Sequence, residues 1–189
     1  MTEHQDIIEQ VLDIELYMFQ RVRSAAPAPC QSVPDNFRKI RGSIYEMWTK
    51  EMLQSYLNDL QVAQKKGRNL VTEKYARMDN LIPPLSTNPL IDKIVEIEAN
   101  WQEELKTKYP AIYNRMCRST NPAQDGSNFS VYLKGELETY SDNTLELYYK
   151  NIKNALEKGK NLAMLALERL VKKGGYNDLE HAENMLKSL

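Results

Sequence analysis

Residues 63–77 read Ala63-Gln-Lys-Lys-Gly67-Arg-Asn-Leu70-Val-Thr-Glu-Lys-Tyr-Ala-Arg77, and residues 155–169 read Ala155-Leu-Glu-Lys-Gly159-Lys-Asn-Leu162-Ala-Met-Leu-Ala-Leu-Glu-Arg169. Both fit A-x3-G-[RK]-N-L-x6-R. The likeness extends without a gap from Phe37–Met78 to Phe129–Leu170 at a constant offset of 92, with Phe37/Phe129, Glu46/Glu138, Leu53/Leu145, Tyr56/Tyr148 and Lys66/Lys158 among the identical pairs. Ten pairs are identical over that span, where ordinary composition gives roughly two or three by chance. The chain is therefore an internal duplication, and a duplicated unit sets the architecture before any single element does.

Working outward, Ile8-x5-Ile14-Glu15 matches Ile91-x5-Ile97-Glu98 in the leading helices, and Cys30-Gln-Ser matches Cys117-Arg-Ser in the loops that follow. The second copy carries a longer loop, Thr120 to Asn128. Each copy reads as helix, cysteine loop, helix, helix, helix. Apolar residues at three- and four-residue spacing mark the first helix (Ile8, Val11, Leu12, Met18, Phe19, Val22) and the second (Phe37, Ile40, Ile44, Met47). Thr49 and Ser141 are expected to cap the third helices, and Asn69 and Asn161 the fourth. Gly67 and Gly159 stand where a left-handed C-cap is wanted. Asn88-Pro89 predicts the start of the second copy, and Asn177 with Glu180 a capping-box start to a last helix. No stretch alternates with period two. The expectation is an all-α helical bundle: repeat one over 1–80, a linker over 81–89, repeat two over 90–173 and a C-terminal helix over 174–189. The repeats are expected to pack about a pseudo-twofold axis into one compact domain.

Composition narrows the function. The formal net charge of −1 gives no field to recruit nucleic acid or an anionic membrane, and no apolar run is long enough to span a bilayer. The polar N-terminus lacks the basic and apolar regions of a secretory signal. Two cysteines make no disulfide framework, so free thiols in a reducing cytoplasm are expected. Two histidines, His4 and His181, leave the usual zinc arrangements and Ser-His or Cys-His units hard to build. No Glu-x-x-His motif accompanies the glutamates, and no metal ligands are assigned.

The residues that do not fit an apolar core are polar ones on buried stripes. Glu15 and Glu98 occupy matching positions on the buried faces of the first helices, where an unpaired carboxylate is costly. Arg77 and Arg169 recur seven residues after Leu70 and Leu162. One expectation is a pair of interior locks, Glu15–Arg77 and Glu98–Arg169. The other is a polar-ligand site between the copies, with Glu15, Glu98, Arg77 and Arg169 as charged walls and Cys30, Arg41, Tyr56 and Tyr148 nearby. In that reading the arginines hold an anionic group, and Glu15 or Cys30 carries the chemistry, the thiol being acidified by Arg38 and Arg41.

Ala28-Pro-Cys-Gln31, Phe37-Arg-Lys-Ile-Arg41, Trp48-x2-Glu51-Met-Leu-x-Ser-Tyr-Leu57, Gly67-Arg-Asn-Leu70, Glu73-Lys-Tyr-Ala-Arg-Met78, Gly135-Glu-Leu-x-Thr-Tyr-Ser141 and Gly159-Lys-Asn-Leu-Ala163 together resemble a bacterial and archaeal domain-of-unknown-function family, number 4125, over nearly the whole chain. The resemblance implies a domain found alone or behind a nucleotidyltransferase-like domain. That points to a small, nucleotide-linked metabolite and to a nucleotidyltransferase-like partner. It draws attention to Cys30, Gln31, Arg41, Glu73 and Arg77, whose second-copy equivalents differ at the positions of Gln31, Arg41 and Glu73. Two functions are therefore expected: binding or modification of a small polar or anionic metabolite between the repeats, or a non-catalytic helical interaction or homo-oligomerisation module. No cofactor is indicated.

Overall fold

Side-chain caps set most of the helix starts. In the computed structural model, which describes residues 2–22 and 33–188, Thr2 opens α1 (Glu3–Phe19), Thr49 α3 (Lys50–Lys65), Asn69 α4 (Leu70–Met78), Asn128 α7 (Phe129–Leu137), Ser141 α8 (Asp142–Glu157) and Asn161 α9 (Leu162–Lys173), each accepting a backbone N–H from the first turn. Pro34 begins α2 (Pro34–Tyr45). The helix α5 spans Leu90–Lys108, and Asn88 accepts from the N–H of Leu90 at 2.9 Å, one residue later than Pro89 alone predicts. The C-termini of α3 and α8 end alike. Gly67 (φ 67°) and Gly159 (φ 62°) turn left-handed, and Arg68 and Lys160 N–H reach back to Ala63 and Ala155 carbonyls. No strand is present among the described residues, so the fold is all-α.

Two elements depart from the sequence expectation. A seven-residue helix, α6 (Pro110–Met116), follows α5 before the second cysteine loop. Pro110 fixes its first turn, and buried Glu183 accepts the N–H groups of Ala111 and Ile112 at 3.0 and 2.9 Å. The final helix, α10 (Leu179–Lys187), is capped by Asp178, not Asn177. His181, not Glu180, reaches back to the N–H of residue 177.

The packing is reciprocal between repeats. The fourth helix of the first copy, α4, lies on α7, the second helix of the second copy, and α9 lies on α2 in the same way. The third helices, α3 and α8, also touch. One apolar cluster therefore draws on both copies, from Val11, Leu53 and Leu60 to Ile94, Leu145 and Ile152. Trp48 sits at the junction, with ring centroids 5.6 Å from Tyr56, 5.4 Å from Tyr148 and 6.3 Å from its own equivalent, Tyr140. A second cluster, including Leu105, Ile112, Val171 and Ala182, joins α5, α6, α9 and α10. No described helix is long and apolar enough to cross a membrane.

Candidate functional site

The two leading-helix glutamates sit in equivalent surroundings that have been furnished differently. Around Glu15 the space is closed by charge. Arg41 on α2 reaches Glu15 with two nitrogens, at 2.7 and 3.1 Å, and turns the same guanidinium to Glu136 on α7 at 2.7 Å. Lys74 on α4 bonds the other Glu136 oxygen. Tyr56 and Tyr140 donate to Glu15 and Glu136 at 2.7 and 2.8 Å. Two carboxylates thus meet two cations, all with hydrogen-bond partners, as buried charge requires. Burial works against the Glu136 carboxylate, but Arg41 and Lys74 outweigh it and hold its pKa far below the ordinary range. Burial likewise opposes the charges of Arg41 and Lys74, and their carboxylate partners win. Little room remains, a void of about 30 Å³.

Around Glu98 the equivalent space is open. A cavity of about 200 Å³ lies between α2 of the first repeat and α5, α7, α8 and α9 of the second. At the offset of 92, Leu133 stands where Arg41 stands, Ala166 where Lys74 stands, and Ile44 where Glu136 stands. Every cation that would meet the carboxylate is gone. Glu98 keeps the duplicated tyrosine: the Tyr148 hydroxyl donates to it at 3.0 Å. Loss of solvent with no compensating cation raises the Glu98 pKa from 4.5 to about 7, against the lowering effect of that one bond. Cys117 also lines the cavity, and burial pushes its thiol up to about 11, which keeps it protonated and unreactive near neutrality.

The expected interior locks are not formed. Arg77 pairs with Glu138 at 2.5 Å and also donates to the Ile82 carbonyl, whereas Arg169 faces Glu46 at 3.7 Å with its side chain 59% exposed. Each arginine therefore reaches the other repeat, because its helix packs on the other repeat's second helix. Glu15 takes Arg41 instead of Arg77, and Glu98 takes no cation. Of the expected walls, the structure brings Glu98, Tyr148 and Arg41 to the open cavity, places Glu15 and Tyr56 in the closed one, and leaves Arg77 and Arg169 in neither. Cys30 and Gln31 lie outside the described residues. Arg38, expected to acidify Cys30, is held by Glu9 and Asp13 at 2.5 and 2.7 Å. Glu73 pairs with Arg68 on the surface.

Sequence reasoning missed Lys74, Glu136 and Gln102. Lys74 lies one turn beyond Leu70, and Glu136 beside Leu137 on α7; their positions on helices with apolar faces were the available signal. Gln102 is 9% exposed and lines the open cavity. Among the described residues, no group of three or more His, Cys, Asp and Glu side chains is placed to hold a metal ion.

Fold and site together define an all-helical protein of duplicated construction with an open, carboxylate-bearing cavity between the copies. The chain belongs to the family described as protein of unknown function DUF4125, whose model matches residues 5–184. No curated protein and no solved structure matches it.

Proposed function

We propose that this protein binds a small, largely apolar molecule in the cleft between its repeats. The observation that carries the reading is the open cavity beside Glu98 at the position where the other copy is closed by Arg41, Glu136 and Lys74. Protein interiors are close-packed, and an opening of this kind beside a half-buried carboxylate with no cation partner is the usual mark of a ligand site. Its walls are mainly aliphatic and aromatic, with a few convergent polar groups, the usual composition of a small-molecule site.

An anionic, nucleotide-linked ligand is the less favoured form of this reading. Arg41 and Arg77 are already engaged by carboxylates, and the uncompensated charge in the cleft is negative. The chemistry also favours binding over covalent catalysis, since Cys117 is held as the thiol. The alternative of an interaction module predicts a filled interior, and the cavity weighs against it. Solution in a cytoplasmic setting remains the expected context.

Protein-observed NMR with a library of small amines, amides and carboxylates tests the proposal. Shifts concentrated on Phe129, Tyr148 and Gln102 are expected. Shifts that spread over the exposed surface and spare these residues would overturn it.

A further inference from the structure

The two equivalent cavities allow the ligand's chemical class to be read from the protein itself. In the closed one, the group on the leading-helix carboxylate is a guanidinium: Arg41 meets Glu15 through two nitrogens. In the open one, the residue at that position is Leu133, and no described cation pairs with Glu98. We infer that the ligand of the open cleft is an organic cation, an amidinium, guanidinium or ammonium on a small apolar body, whose charged head takes on Glu98 the place that the Arg41 side chain takes on Glu15. This rests on the cleft being a ligand site.

A second, independent observation lies one turn along α5. At the offset of the leading helices, Gln102 is equivalent to Phe19. Phe19 stacks on Phe37 with ring centroids 5.0 Å apart and planes 18° apart. In the open cleft the Phe37 equivalent, Phe129, has no such ring against it, and a buried amide stands in the place of Phe19. Gln102 lines the cavity, and since no buried side-chain nitrogen or oxygen among the described residues lacks a partner, its unengaged amide is open to the cleft. Its donor and acceptor, in a cleft also lined by Phe129 and one helical turn from a carboxylate, suit a cation that carries several N–H groups.

The charge balance points the same way. The other charged and titratable groups round the cleft are Arg41 and Glu136, which are neutralised within the four-charge cluster they form with Glu15 and Lys74, the phenols of Tyr132 and Tyr148, and the Cys117 thiol. Glu98 is the surplus charge, and a cation is what balances it. Ile40 and Ile44, in place of Tyr132 and Glu136 of the closed site, supply the apolar wall for the ligand body.

The test uses three probes of one shape on the full chain: benzamidinium, benzamide and benzoate, followed by calorimetry and by NMR. Benzamidinium is expected to bind more tightly than benzamide by about ten-fold or more, as a hydrogen-bonded charge pair does, and benzoate more weakly than either. Glu98→Gln should abolish the preference while benzamide binding persists. Leu133→Arg, with Glu98 intact, should abolish benzamidinium binding by restoring the guanidinium of the closed site. Equal binding of amidinium and amide, or tighter binding of benzoate, overturns the charge assignment and leaves the cleft reading standing. Binding of none of the three overturns both.

Discussion

Arg77 Nε lies 2.5 Å from Glu138 Oε2, joining α4 of the first repeat to the end of α7 in the second. The equivalent residues, Arg169 and Glu46, face one another at 3.7 Å with the arginine side chain largely in solvent. One contact has been kept in duplicate at two very different depths. Glu138 is 4% exposed, and among the described residues its partners are Arg77 and the Leu85 N–H. Arg77→Ala should therefore cost about 3–5 kcal/mol by stranding a buried charge, and Arg169→Ala less than about 1 kcal/mol. Urea unfolding of the two variants makes the comparison, and equal losses would contradict it.

Glu136 is the hub of the closed site. Its pKa is depressed, so its contribution to stability is present above the ordinary carboxylate value and is lost as pH falls through the folded value. Glu136→Gln is expected to destabilise by about 3–5 kcal/mol at pH 7, because Arg41 and Lys74 then lack their shared counter-charge. The deficit should shrink on acidification below the ordinary carboxylate range. Denaturant titrations over an acid series check both the size and the trend.

Glu98 has the opposite sign. Its folded pKa is raised from 4.5 to about 7, so the folded state favours the protonated acid. The stability this group gives is fully present below about 4.5 and is lost as pH rises through about 7. Glu98→Gln keeps an acceptor for Tyr148 and removes the ionisation. The variant should be more stable than the parent at alkaline pH, by at most roughly 3 kcal/mol and less where solvent screens the carboxylate. Near pH 5 the two should be close. A variant no better than the parent at pH 8.5 would count against an uncompensated carboxylate.

Gly67 and Gly159 both turn left-handed, and a Cβ added at either meets nothing within 4 Å. The cost of alanine there is purely conformational. Each substitution should lose about 1–2 kcal/mol, and the two losses should agree. Asparagine should lose less at either position. Thermal unfolding of the four variants is sufficient to test this.

Much of this was legible in the sequence, for identifiable reasons. The hydroxyl and amide caps and the two glycine turns are local, and local chemistry fixes them. The buried placement of Glu15 followed from helical spacing. Its partner did not. Seven-residue spacing puts Arg77 on the face of Leu70, but says nothing of which helix covers that face, and α7 of the other repeat does. The recurrence of Glu46 and Glu138 alongside Arg77 and Arg169 was the missed clue, since four duplicated charges balance as two crossed pairs. The open cleft was harder to see. It arises from what the second copy lacks at the positions of Arg41, Lys74 and Glu136, and identical pairs draw the eye away from such differences. The short helix α6 was hidden because Pro110 reads as a breaker as readily as a first residue.

The central claim is that Glu98 is a half-buried carboxylate without a cation, where its sister site has the guanidinium of Arg41. The most direct measurement is a pH titration of the Glu98 side-chain carboxyl carbon by NMR, with and without benzamidinium. A midpoint of about 7 in the free protein, moving downward when the cation is bound, is the predicted result. A midpoint in the ordinary carboxylate range that benzamidinium leaves unmoved would contradict the account.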